Sequence, residues 1–343
     1  MARALKRGLR VLALLDLGEP VGLQQDFSVE LETEAWKTEA HVLAALRRLG
    51  CEVEYLAIHD DTDLLRRKLE QFPADVIFNL VEEFRNRREL DQAVVSFLEL
   101  AGVPFTGCGS TGLMLCRHKG ISKKILGYHR IRVPQFAIVA RGRRGARPRW
   151  LRFPILVKPL KEEASTGISQ ASFVENDEQF RERVEFVHQR LGQDVIAEEY
   201  IPGRELYVSV LGNKRAEVFP IRELHFKQVP SEEPRIATYK AKWDDDYRAR
   251  WGIESGFAEE LDPVVRREIE RTCRRIYHLL AMEGYGRIDL RLTPENEIVF
   301  IEANPNPFLA EGEDFALSAQ AAGVDYTNLI GRIVHLGLSA ERD

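Results

Sequence analysis

The sequence predicts an α/β protein, with a parallel sheet flanked by helices at the start and mixed α+β lobes behind it. Two observations carry this. Over the first hundred residues, short apolar runs alternate with amphipathic helical segments through brief connections, which is the pattern of a parallel sheet. From about residue 104 the pattern changes to turn-rich stretches, shorter strands and a hairpin. With 343 residues, 44% of them hydrophobic, the chain exceeds what one compact domain normally holds, so two or three lobes are expected.

Each element follows from its local pattern. Val11 to Leu15 is an apolar strand. Glu34 to Leu49 has helical spacing and stops at Gly50. Val53 to Ile58 is a strand, Asp63 to Phe72 a helix, Asp75 to Leu80 a strand, and Leu90 to Ala101 a helix ending at Gly102. The first strand runs into Asp16-Leu17-Gly18-Glu19, not GxGxxG, so no dinucleotide site is implied. Further on, the turn Thr106 to Ser110 leads through a short helix to the basic helix Lys119 to Leu126. Strands are expected at Gln135–Val139, Ile155–Pro159, Gln170–Phe173, Val195–Tyr200, Glu205–Leu211 and Arg215–Pro220, with a charged helix over Asp177–Leu191. A long polar loop spans Lys227 to Asp246. A helix at Pro263–Met282, a hairpin of Arg287–Leu292 with Ile298–Glu302, and helices at Asp314–Ala322 and Tyr326–Leu338 complete the chain. The boundaries read as 1–103, 104–200 and 201–343.

The bulk chemistry narrows the function. A formal net charge of −5 gives no general electrostatic case for nucleic acid or an anionic membrane. The basic run Arg141 to Arg149 is either a solvated loop or a landing site for an anionic substrate or partner. Cys51, Cys108, Cys116 and Cys273 form no CxxC pair and read as free thiols. The start, Lys6 to Asp16, has basic and apolar residues, but the apolar run is short and ends at an acid, so it reads as a strand and not as a signal peptide. No stretch is long enough to span a membrane. A soluble, cytoplasmic protein acting on small molecules is expected.

The hairpin carries the most chemistry. If Pro294 pairs with Glu297 across the turn, Asp289 lies opposite Glu302 and Arg287 opposite Asn304. Opposed residues share a face with Cα atoms about 4.5–5.5 Å apart. Two carboxylates so placed repel unless a cation lies between them, and two carboxylates with an amide oxygen suit Mg²⁺. The alternative is a solvent-facing hairpin with incidental charges, against which the apolar Ile288, Leu290, Val299, Phe300 and Ile301 weigh. Lys158 ends an apolar strand and either reaches phosphate or snorkels to water. The small residues after it, Ala164 to Gly167, would let backbone amides approach phosphates. Glu198 to Glu205 joins two strands, as a nucleotide-holding connector or as an ordinary charged linker.

These pieces occur in order in one family. The chain resembles D-alanine–D-alanine ligases and their ATP-grasp relatives among carboxylate–amine ligases. The likeness runs through Pro104 to Gly109, His118-Lys119, Val157-Lys158-Pro159, Glu198 to Glu205, Tyr239-Lys240-Ala241-Lys242-Trp243, Gly286-Arg287-Ile288-Asp289 and Ile301-Glu302-Ala303-Asn304-Pro305, covering roughly the last two-thirds of the chain. It implies a three-lobed ATP-grasp fold with a parallel-sheet pre-ATP-grasp domain in front. It implies ATP and Mg²⁺, with Mn²⁺ as a substitute. Lys119 and Lys158 are then expected on ATP phosphates, Glu198 with the backbone of Glu199 and Ile201 on adenine, and Glu205 on ribose. Lys242 is expected at the γ-phosphate from a mobile loop, Asp289, Glu302 and Asn304 on the metal, Arg287 at the reaction centre and Ser165 beside it. The reaction implied is carboxylate activation as an acyl phosphate, then attack by an amine. Relatives are commonly dimers, which makes a homodimer possible, while the sequence itself does not fix the oligomeric state.

The departures concern the substrates. Those ligases carry a Gly-rich first loop with a glutamate and an HGxxGEDG-like segment. Here the same places read Asp16-Leu17-Gly18-Glu19-Pro20 and Asn79-Leu80-Val81-Glu82-Glu83-Phe84. Glu163 and Phe308 stand where those ligases have glycines. The expected product is therefore not D-alanyl-D-alanine. Competing readings are acyl-phosphate chemistry with a non-amine acceptor, a nucleotide-binding module without turnover, and nucleic-acid binding through the basic run.

Overall fold

The computed structural model describes residues 5–143, 145–161, 167–230 and 233–341. The first hundred residues form β1 (Arg10–Asp16), α1 (Lys37–Arg48), β2 (Glu52–Ile58), α2 (Asp63–Gln71), β3 (Val76–Asn79) and α3 (Asp91–Ala101). The sheet order is β2-β1-β3, all parallel, with β1 central. Side chains alternate across β1. Leu12 and Leu14 join Leu64, Leu65, Val94 and Leu98 on one face. Val11 and Phe78 meet Val42 and Leu46 of α1 on the other.

Next come α4 (Ser110–Arg117), α5 (Lys119–Tyr128), β4 (Phe136–Val139), β5 (Ile155–Pro159), β6 (Phe173–Val174), α6 (Asp177–Phe186) and β7 (Val195–Glu199). Their strands form an antiparallel sheet, β4-β7-β5-β6. The remainder holds β8 (Arg204–Leu211), β9 (Glu217–Val218), β10 (Arg222–Phe226), α7 (Tyr239–Trp243), α8 (Asp245–Trp251), β11 (Ile253–Phe257), α9 (Pro263–Leu279), β12 (Tyr285–Leu292), β13 (Ile298–Pro305), α10 (Asp314–Ala321) and α11 (Tyr326–Leu338). This sheet runs β11-β10-β8-β12-β13, with β9 beside β8. Helix α11 returns to the first sheet, where Leu329, Ile330 and Ile333 pack with Val11, Val42 and Phe78. Among the described residues no helix is long and apolar enough to cross a membrane.

Three local expectations change. Gln170–Ser172 is a tight helical turn, and only Phe173–Val174 is strand. The helix from Asp177 widens into a π-turn at Val187–Leu191, closed by Gly192 at φ 67°. The polar loop from Lys227 contains α7 and is flanked by the paired strands β10 and β11. Strand β10 hid its period because two of its three buried residues are charged: Arg222 pairs with Asp314 at 3.0 Å and Glu223 with Arg204 at 2.5 Å.

The hairpin reaches the expected register by a different route. Its turn closes between Thr293 and Glu297, whose N–H···O bond is 3.0 Å, with Asn296 at φ 64°. That shifts Leu290, Arg291 and Leu292 by one place, opposite Phe300, Val299 and Ile298. A β-bulge between Asp289 and Leu290 leaves Ile301 unpaired and restores Asp289 opposite Glu302 and Arg287 opposite Asn304.

The link from β7 to β8 passes Gly203 at φ 125°, where an added Cβ would lie 2.1 Å from the Leu292 carbonyl oxygen. Gly203→Ala combines that clash with a backbone strain of about 1–3 kcal/mol. It is expected to lower the thermal midpoint by several degrees; an unchanged midpoint would show that the turn relaxes freely.

Candidate active site

The site is assembled on one face of the β8-β12-β13 strip. In register, Glu205 lies opposite Arg291, Tyr207 opposite Asp289, and Ser209 opposite Arg287. Odd-numbered residues of β8 and β12 therefore share a face with Glu302 and Asn304. Arg287 donates from Nε to Asp289 Oδ1 at 2.7 Å and from Nη2 to Oδ2 at 2.9 Å. Its guanidinium lies 4.7 Å from the Tyr207 ring centroid. Burial pushes the Asp289 carboxyl up, Arg287 opposes that, and Glu302 adds to the push. Burial also pushes on Glu302, but Lys119, Lys242, Lys158 and Arg287 outweigh it and hold Glu302 well below the usual carboxylate range. Lys119 Nζ lies 3.4 Å from Glu302 Oε2.

Across the cleft, α5, β5 and β7 supply a buried charge cluster. Glu198, 1% exposed, accepts a hydrogen bond from Lys158 Nζ at 3.1 Å on Oε2 and forms an ion pair with Lys123, whose Nζ lies 2.9 Å from Oε1. Burial alone pushes the Glu198 carboxyl up; Lys123 and Lys158 reverse that and hold it low. Burial pushes Lys123 down in spite of Glu198, with Lys158 and Lys119 adding to the push. Lys123 also donates to the carbonyl of Ile301, so the bulged residue anchors the cluster to the hairpin. The sequence reading passed over Lys123. Its signal was the i,i+4 spacing from Lys119, which places both ammonium groups on one face of α5.

Eight of the expected residues border one small cavity of about 50 Å³: Lys158, Glu198, Glu199, Ile201, Glu205, Lys242, Asp289 and Glu302. Within it, Glu205 accepts from Tyr207 Oη at 3.1 Å and from Arg291 Nη2 at 2.5 Å. The Glu199 N–H already donates to the Gln135 carbonyl at 2.8 Å, so it is committed to the sheet. Arg287 and Asn304 border a second cavity of about 470 Å³, and Lys242 borders both. Thr238 caps α7 by accepting from the Ala241 N–H at 3.1 Å, which sets the position of Lys242. Ser165, and Glu163 beside it, lie outside the described residues. In the basic run, Arg144 also lies outside them, while Arg147 pairs with Asp177 at 2.9 Å and stacks 4.4 Å from the Phe153 ring centroid.

The larger cavity also reaches the first hundred residues, through Val81 and Glu82 just after β3, Arg88, and Asp91 at the start of α3. There Asp16, at the carboxyl end of β1, accepts the Glu82 N–H at 2.8 Å. Burial pushes the Asp16 carboxyl up to about 6, with the Glu82 amide opposing and Glu83 and Glu39 adding to the push.

Buried lysines paired with acids, opposed carboxylates and a cleft between two antiparallel sheets fit an ATP-grasp carbon–nitrogen ligase, a class that converts ATP to ADP and phosphate. Residues 128–335 match the family described as "D-ala D-ala ligase C-terminus", and the chain belongs to that family. It is 32% identical over 301 residues to the uncharacterized protein y4sG of Sinorhizobium fredii (strain NBRC 101917 / NGR234), covering 85% of each chain. It is 28% identical over 292 residues to a D-alanine–D-alanine ligase of Thermotoga sp. (strain RQ2), covering 84% of this chain and 88% of the relative. The fold matches the crystal structure of the Bacillus anthracis D-alanine–D-alanine ligase complexed with ATP at a TM-score of 0.74 and 20% identity, over 96% of this chain and 98% of that one. The VanG D-Ala:D-Ser ligase of Enterococcus faecalis superposes at 0.69 with 18% identity, over 96% and 100%. The family gives this chain an ATP-dependent carboxylate–amine ligase chemistry that uses a divalent metal.

Two predictions follow from the charges. Asp16 has an ordinary value of 3.8 and a folded value of about 6, so folding favours its neutral form. Its contribution to stability is greatest below pH 4, is lost as pH rises to about 6, and stays lost above that. Asp16→Asn keeps an acceptor for the Glu82 amide. It is expected to be more stable than the parent above pH 6, by up to about 3 kcal/mol, and level with it below pH 4 in denaturant titrations. Lys123→Met leaves Glu198 one cation short, at a cost of about 3–5 kcal/mol. Adding Glu198→Gln should recover part of that loss. Equal denaturation midpoints for Lys123→Met and the parent would contradict the pairing.

Proposed function

We propose that the chain uses Mg·ATP to phosphorylate a substrate carboxylate and joins the acyl group to an amine, with an amino acid or peptide-type substrate other than the D-alanine pair. The observation that carries this is Asp289 facing Glu302 on the wall of a cleft shared with Lys158 and Lys242. In this reading 1–103, 104–200 and 201–343 act as three lobes, and the cleft is where the last two meet.

The residues suit a divalent cation. Asp289 and Glu302 are neighbours across β12 and β13, and both bring hard oxygen donors. Arg287 uses one lone pair on each Asp289 oxygen, and a carboxylate has about four. The Asn304 Nδ2 is buried without a hydrogen-bond partner, so this side chain is held at the site by other forces than its own amide donor. Among the described residues no group of three or more His, Cys, Asp or Glu side chains is arranged for a metal. The donor set proposed is the Asp289 and Glu302 carboxylates with the Asn304 amide oxygen. Bound there, Mg²⁺ would neutralise phosphate charge and hold the phosphates in line.

The remaining roles belong to this chain's side chains. Lys119 and Lys158 offer ammonium groups to phosphates. Glu198 holds Lys158 in place, and with the Ile201 backbone and the Glu199 carbonyl it borders the space for adenine. Glu205 is the acid available to ribose hydroxyls. Lys242 moves with α7 toward the γ-phosphate, and Ser165 lies on the loop that would cover the phosphates. The carboxylate oxygen attacks the γ-phosphorus and ADP leaves. The amine nitrogen then attacks the acyl carbon and inorganic phosphate leaves. Arg287, bordering the larger cavity, stabilises the negative charge that develops on the acyl oxygen. The substrate positions point away from D-alanine: Phe308 borders the cavity where the ligases carry glycine.

The test is phosphate release over a panel of amino acids and dipeptides with Mg·ATP. At least one is expected to stimulate release well above the rate with D-alanine. Glu302→Gln should reduce that stimulated rate by at least about a hundredfold. Efficient release with D-alanine, or release unchanged in Glu302→Gln, would sink the reading.

A further inference from the structure

The 470 Å³ cavity beside Arg287 is bordered by charges of both signs. Arg222, Arg248, Lys242 and Arg287 stand with Glu82, Asp91, Glu313 and Asp314, and Arg222 is paired with Asp314 and Arg287 with Asp289. The border also carries two aromatic side chains, Trp243 and Phe308. Their ring centroids are 6.0 Å apart and nearly perpendicular, at 85°. Both are among the exposed large hydrophobics, at 46% and 42% of their surface. Apolar rings left open on a pocket wall mark a surface that a ligand covers.

Phe308 owes its exposure to a stiff backbone. It follows Asn304-Pro305-Asn306-Pro307, in which two prolines fix φ. Asn306 sits at φ 51°, accepts the Cys108 N–H on its side chain at 2.8 Å, and donates its own N–H to Tyr285 at 3.3 Å. The ring is therefore held at the pocket by fixed supports on both sides of the chain. Trp243 directly follows Lys242 on α7, so one short helix carries both to the cavity. The volume falls in the range of about 300–1,000 Å³ that holds drug-sized molecules, which is generous for a pair of alanines.

We propose that this cavity takes a carboxylate-bearing substrate with a bulky apolar side chain, aromatic or branched, packed against Trp243 and Phe308 while its polar end faces Arg287 and Arg248. This rests on the ligase reading above and names its substrate class. The two rings set specificity and take no part in bond making.

The experiment uses the full chain with Mg·ATP and measures phosphate release with phenylalanine, leucine and alanine of both configurations, alone and with a second amino acid. Bulky apolar acids are expected to exceed alanine at least tenfold in kcat/KM. Trp243→Ala and Phe308→Ala should each lose about tenfold on the bulky acids through KM, with alanine unchanged or improved. Phe308→Leu and Trp243→Phe, which keep apolar volume, should retain most of the preference and guard against misfolding in the alanine variants. Alanine serving as well as phenylalanine would overturn the proposal. So would a fall in kcat for every substrate alike, because that is the mark of a closing latch and not of a specificity wall. Thermal stabilisation by each acid is measured in parallel with a non-hydrolysable ATP analogue. Stabilisation by bulky acids without any phosphate release would uphold the pocket assignment and defeat the ligase reading; release without the size preference would do the reverse.

Discussion

Glu198 is the constraint around which the cleft is built. A carboxylate buried among apolar strands costs several kcal/mol unless it is paired. Here it is paired twice, by Lys123 from a helix and Lys158 from a neighbouring strand. Those two cations are themselves buried and would be costly without Glu198. Lys123 then reaches the Ile301 carbonyl, which is available because the hairpin bulges there. One buried anion thus ties α5, β5 and β7 to the strand that carries Glu302. The same logic repeats at lower burial, with Lys119 on Glu302 and Arg287 on Asp289. Charges alternate through the cleft, and each sign is held by the other.

Much of this was legible in the sequence, for reasons that differ by element. The parallel sheet announced itself because β1 and β3 are apolar throughout, the mark of strands covered on both faces. The facing of Asp289 and Glu302 was also legible, although the turn sits one residue away from where simple pairing puts it. The bulge at Ile301 cancels that displacement. A bulge has no composition signature in an apolar strand, so agreement there owed something to chance. Strands β10 and β11 escaped notice because Arg222 and Glu223 are buried as ion pairs, and burial of charge defeats a reading based on hydrophobic period. Lys123 escaped because it sits in a run of lysines, where only the three-dimensional neighbour, Glu198, separates the buried one from those in water.

Two cavities adjoin at the site. The narrow one is bordered by eight of the expected residues, and the wide one by Arg287 and Asn304 together with residues outside the ligase motifs, such as Arg222, Arg248 and Phe308. Lys242 borders both, so a single short helix links the two spaces.

Helix α11 has a consequence of a different kind. Its apolar face packs on β1 and β3, elements made roughly 250 to 320 residues earlier. During synthesis on the ribosome, α1 covers part of this face of the first sheet before α11 emerges to complete it. Contacts of such long sequence separation form late and slowly. The packing of the first sheet is therefore completed only when α11 arrives.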